Sequence, residues 1–167
     1  MTFDSIEALK SYILSKSQVA IQKAQEQIYQ VIDRFVKEYY AEYSPIVYER
    51  TYQLYRSLVK SEIIYTGNGW EAQVYFDISM LDYQIKQLHG NPVDGGYMNP
   101  YNGAISPDGT FSNPKGSAEL VMESAAHGSH GGWAGGTAIW DDPIAILNVE
   151  AYNILKRMLI SEGIPIR

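Results

Sequence analysis

Cysteine is missing from the chain. That rules out a disulfide framework and any zinc site built on thiolates, and it fits a reducing compartment. Basic residues are scarce, with 13 Lys and Arg against 19 Asp and Glu and a formal net charge of −6. Phosphate backbones demand the opposite sign, so sequence-independent binding of DNA over the whole surface is not expected. An acidic inner wall would instead let DNA pass without sticking, if the protein lines a channel. No apolar run approaches the roughly 20 residues of a membrane span, so no membrane partner is expected. The opening residues MTFDSIEALK have neither a basic segment nor an apolar one, and a secretory signal is not expected either. No internal repeat is present. No glycine-rich run opens a helix with Lys-Ser or Lys-Thr, so there is no nucleotide cradle, and Gly131-Gly132-Trp133-Ala134-Gly135-Gly136 lacks that context. Ser, His and Asp occur, but nothing places them in a nucleophile elbow. A non-enzymatic protein without a cofactor is the expectation.

What the chain does have is tyrosine, 14 in 167 residues. Tyrosine joins a large apolar ring to a polar tip and loses little entropy on ordering, which suits surfaces that become interfaces; a tyrosine-rich core is the alternative. The length suits one domain, 1–167, with a single core.

Hydrophobic spacing gives the elements. Asp4 with Glu7 resembles a capping box and opens a short helix to Leu14, with Phe3, Ile6, Leu9 and Ile13 at helical intervals. Ser15 or Ser17 either restarts or continues it. From about Ser17 to Tyr43 the residues Ile21, Ala24, Ile28, Val31, Ile32, Phe35, Tyr39 and Tyr43 lie along one side of a helix about 40 Å long, with Gln22, Lys23, Gln25, Glu26 and Lys37 among those opposite. Such a helix outruns a small sheet, so part of its stripe either meets another subunit or packs within its own domain. Pro45 stops it. A short turn or helix through Arg50–Leu54 follows, and Leu54 or Leu58 opens the first strand.

Ser57–Tyr65 and Trp70–Ile78 read as two strands flanking Gly67-Asn68-Gly69, a hairpin signal. Ala72, Val74 and Phe76 alternate with Gln73, Tyr75 and Asp77. Residues 79–88 suggest a helical turn. Prolines and glycines between His89 and Gly116 leave no room for a long element, and Tyr97, Met98, Tyr101, Ile105 and Phe111 are apolar anchors within it. We read 84–116 as an extended loop or docking arm. Ser117–His127 suggests a short helix ended by Gly128. Asp141 or Asp142 caps a last helix, with Pro143 at its first position, Ile144, Leu147, Ala151, Ile154, Leu155 and Met158 on its apolar face, and Gly163 and Pro165 ending it. The fold class is therefore α+β: a long N-terminal helix on a small antiparallel sheet, a long Gly/Pro-rich loop and a C-terminal helix.

His127 and His130 are the one pair with metal-ligand character, and Asp141 or Asp142 would have to complete a zinc set. The H-x-x-H spacing in a glycine-rich loop is not the helical H-E-x-x-H signature. No metal is expected, and the two histidines read as hydrogen-bonding to loop backbone or packing at a subunit contact. Arg50 and Arg56 stand among tyrosines, where guanidinium groups stack on rings and fork to carboxylates, with Glu49 and Glu62 as partners within the chain. The candidate interface residues are Tyr48, Arg50, Tyr52, Tyr55, Arg56, Tyr97, Tyr101, Phe111, His127, His130 and Trp133.

The run Tyr48-Glu49-Arg50-Thr51-x-x-Leu54 after a long helix and Ser44-Pro45, the hairpin whose second strand ends in Phe76-Asp77, and His127-Gly128-Ser129-His130-Gly131 before a C-terminal helix resemble the neck and tail-completion proteins of siphophages and related prophages. Residues 84–115 depart from that pattern. The resemblance implies a structural virion protein, made in the host cytoplasm, that forms a ring of six or twelve copies in the neck and joins the tail to the head. Its partners would be a connector or stopper and a tail terminator or tail tube, with DNA crossing the lumen without sequence-specific contact. A minor capsid or head-decoration protein is the alternative, and a metal-dependent hydrolase a distant third.

Overall fold

The computed structural model describes residues 2–42, 52–81, 104–105, 111–112, 122, 125–128 and 136–166. Its elements are α1 (Ile6–Glu42), α2 (Gln53–Ser57), β1 (Leu58–Lys60), β2 (Ile64–Tyr65), β3 (Trp70–Glu71), β4 (Val74–Phe76), a 3-10 turn (Ile78–Met80), β5 (Ala104–Ile105), β6 (Phe111–Ser112) and α3 (Asp141–Ser161). The strands form three pairs, β1 with β4, β2 with β3 and β5 with β6. The α+β class holds: a long N-terminal helix, a small antiparallel region and a C-terminal helix.

The first helix is one element where a break at Ser15–Ser17 was an option. At about 1.5 Å per residue its 37 residues extend about 55 Å. The Ser17 hydroxyl donates to Leu14 O at 3.0 Å, so the serine is satisfied by its own helix and need not end it. The cap is Ser5 and not Asp4: Ser5 Oγ accepts Ala8 N at 3.1 Å.

The chain divides into two compact units. One comprises Met1–Val31, Val59–Tyr75 and Ile144–Arg167, the other Ile32–Leu58 and Phe76–Pro143.

In the first unit Ala20, Ala24, Gln25, Leu147 and Ile154 are buried. The hairpin is tied to α1 by side chains. Trp70 Nε1 donates to Leu14 O at 3.0 Å, and Lys60 Nζ reaches Glu26 at 2.5 Å while lying 5.0 Å over the Tyr29 ring. The two predicted strands are each broken in two. Ser61 N donates to Gln73 O, whereas further out Ile64 faces Glu71. Between those pairs Glu62 and Ile63 stand opposite Ala72 alone, a two-against-one bulge. Ser61 Oγ accepts the Gln73 N–H at 2.8 Å, and Gln25 Nε2 donates to both Ser61 O and Gln73 O at 2.9 Å. Gln25, expected on the polar side, is buried for this reason. The hairpin closes at Gly67, whose φ of +89° is open to glycine at little cost.

The C-terminal helix ends in a Schellman motif. Gly163 N donates to Ile160 O and Ile164 N to Leu159 O, with Gly163 at φ +84°. Glu162 beside it binds Lys16 at 3.3 Å and Lys23 at 2.5 Å from α1.

Among the described residues of the second unit Ile32, Val36, Leu54, Ser57, Leu58, Leu81, Ala125, Gly128, Ala138, Ile139 and Pro143 are buried. Helix α2 starts at Gln53, Arg50 and Thr51 of the expected turn or helix lying outside the described residues, and Leu58 opens β1 as one option had it. Asp77 caps the 3-10 turn through Ser79 N at 3.0 Å. The 84–116 segment contains a two-stranded pair that the turn residues did not suggest, with Ala104 facing Ser112 and Ile105 facing Phe111. The rest of that segment lies outside the described residues. Gly128 ends the helical residues Ala125–Ala126 at φ +74°; its O accepts Gly136 N, and Ala125 O accepts Ile139 N.

Candidate functional site

Two of the predicted interface residues come together in a tyrosine cluster on the second unit. Tyr52 precedes α2 with φ +54°, the left-handed region a non-glycine residue rarely adopts. In that pose its ring stacks on Tyr40 at 5.2 Å and 26°. Tyr55, one turn on, meets Tyr40 edge to face at 6.4 Å, and Tyr39 meets it likewise at 5.8 Å. Lys37 Nζ lies 6.0 Å over the Tyr55 ring. Lys37, Tyr40, Tyr52 and Tyr55 line an open hollow of about 180 Å³. Tyr52 is half exposed, so one ring face of the cluster is presented outward.

Lys37 is a cation at these rings that the sequence did not single out, beside the Arg50 and Arg56 it did. Its ammonium is held by Asp33 one helical turn back, at 2.6 Å, and that hydrogen bond pushes its pKa above the ordinary lysine value. Arg56 is exposed on α2. Lys37 and Tyr40 were missed although their spacing of three shows that they share a helix face with each other.

A second cluster surrounds the start of α3. His127 Nδ1 lies 2.6 Å from Asp141 Oδ2, both side chains more than half exposed. A side-chain carboxylate is thus one partner of His127. Asp142 Oδ2 accepts Ala138 N at 2.9 Å, and the Glu42 carboxylate accepts Thr137 N at 2.7 Å and the Thr137 hydroxyl. Among the described residues no group of three or more His, Cys, Asp or Glu could hold a metal ion.

Phe111 is in β6, opposite Ile105. Tyr48, Arg50, Tyr97, Tyr101, His130 and Trp133 lie outside the described residues.

Apolar exposure forms stripes. On α1, Ile6, Leu9 and Ile13 are 79, 38 and 43% exposed. On α3, Ile146, Val149, Tyr152 and Ile160 are 37, 70, 65 and 51% exposed, on the side of the helix away from Leu147 and Ile154. Sequence reading found the inner face of α3 and missed that the outer face is apolar as well. Among the described residues no helix is long and apolar enough to cross a membrane. Comparison with protein-family models, curated proteins and solved structures finds no match for this chain.

Proposed function

We propose that this chain is a structural protein of a tailed-phage virion, forming a ring in the neck that joins or completes the tail on the head. The observation that carries the reading is the helical spacing of its exposed apolar residues. Isolated exposed hydrophobes are ordinary, but stripes on α1 and α3 are surfaces that another protein covers. The tyrosine cluster adds rigid aromatic area of the kind interfaces use. The resemblance of the Tyr48–Leu54 run and its flanks supplies the location. In this reading the partners are further copies of the chain, six or twelve in a ring, with a connector or stopper on one side and a tail terminator or tube on the other. DNA crosses the lumen past an acidic protein without sequence-specific contact, and the role is structural, not catalytic.

Gold-labelled antibody on intact virions tests it. Label at a single site between head and tail is the expected result. Label spread over the capsid would favour a head-decoration protein, and label absent from particles would overturn both.

A further inference from the structure

Val149 is the most exposed apolar residue of α3, at 70%, and it lies midway between Asp142 and Lys156, seven residues to either side. Seven residues are close to two turns, so Asp142, Val149 and Lys156 share one line of the helix, flanked by Ala145, Ile146, Tyr152 and Asn153. Acidic residues stand at one end of that helix, Asp141 and Asp142, and basic ones beyond the middle, Lys156 and Arg157. A helix face with an apolar centre, an acid arm and a basic arm is complementary to itself when a second copy runs antiparallel.

We infer that two copies of this chain pair through α3 about a two-fold axis at Val149. That register sets Val149 against its own mate, Asp142 of each copy against Lys156 of the other, and Ile146 against Tyr152 of the other. Both ends then gain an opposite charge, whereas a parallel pair would set like charges together. Asp142 still accepts Ala138 N through Oδ2 and remains exposed, so it is placed to meet a cation as well. The inference needs no particular place in a virion, and an isologous contact of this kind is separate from the heterologous contacts that close a ring.

The absence of cysteine makes the test direct. Val149→Cys and Ile160→Cys are made separately in the full chain and oxidised mildly, with circular dichroism confirming the wild-type spectrum. On the axis, V149C links to its own mate and becomes mostly covalent dimer. I160C is also exposed, yet antiparallel pairing puts its mate about 33 Å away along the helix, far outside disulfide reach, and it stays monomeric. Lys156→Glu lowers the yield of the V149C dimer severalfold, and high salt does the same. A V149C that remains uncross-linked, or V149C and I160C linking equally, overturns the inference. If V149C fails while the wild-type chain still associates, another surface joins the copies and the assembly reading survives. A chain monomeric at every concentration sinks both.

Discussion

Gln25 holds the hairpin at its irregular point. Its Nε2 donates to Ser61 O and to Gln73 O, each at 2.9 Å; at the bulge Gln73 N turns to Ser61 Oγ and leaves Ser61 O without its strand partner, while Gln73 O also accepts Ser61 N. A buried amide on a helix thereby completes a broken ladder.

Gln25→Ala removes both amide contacts; Gln73 O keeps Ser61 N, but Ser61 O is left short of a partner. The expected loss is about 2 kcal/mol in urea unfolding at unchanged m-value. Gln25→Glu is expected to be worse at neutral pH, where a carboxylate faces two carbonyl oxygens, and to recover on acidification. Stability unchanged in Q25A would show that the contact is incidental.

The Glu162 clamp gives a pH dependence with a definite sign. The Lys23 hydrogen bond, followed by Lys16, holds its carboxyl below the ordinary 4.5. A lowered native pKa contributes stability that is complete above the unfolded value and is lost as pH falls through the native one. Wild type should exceed Glu162→Gln by a constant margin above about pH 5, and the margin should close below pH 4.5. Urea titrations at five pH values measure it; a margin that widens on acidification would contradict the assignment.

Two glycines separate conformational from steric cost. Gly67 and Gly128 both have positive φ, but a Cβ on Gly67 meets nothing within 4 Å, while one on Gly128 falls 2.2 Å from Gly136 O. Gly67→Ala should cost about 1 kcal/mol and Gly67→Asn less, because asparagine tolerates the left-handed region. Gly128→Ala and Gly128→Asn should both cost more than about 2 kcal/mol. Thermal melts showing that asparagine rescues position 128 would refute the clash.

At Tyr52 strain and stacking oppose each other. Tyr52→Gly relieves a left-handed backbone worth about 1 kcal/mol and forfeits a ring stack of similar size, so stability should stay within about 0.5 kcal/mol of wild type. If the cluster is an interface, the same variant should associate more weakly. A large drop in melting temperature would mean that the ring is structural.

Elements with strong periodicity were legible in the sequence: α1, the hairpin around Gly67, and α3 with Gly163 at its end. The Ser17 region was ambiguous because a serine that bonds its own helix and one that caps a new helix look alike. The bulge was not legible, since an alternating pattern carries no mark of a single extra residue on one strand. Gln25 followed from the bulge and was hidden with it. Of the candidate site, Tyr52 and Tyr55 were found as aromatics, but their meeting on Tyr40 depends on the left-handed turn at Tyr52, and nothing in a tyrosine predicts positive φ. The outer stripe of α3 was present in the sequence as Ile146, Val149, Tyr152 and Ile160, and the stronger inner face of the same helix masked it.

Stripes of apolar side chains on α1 and α3 that other protein covers should make the chain associate, and sedimentation equilibrium of the purified full chain across a hundredfold range of concentration measures that. The mass should rise above the 18.8 kDa of one chain to discrete multiples, with Val149→Glu shifting the distribution toward the single chain while leaving the melting temperature unchanged. A mass of one chain throughout, for wild type and variant alike, would contradict it.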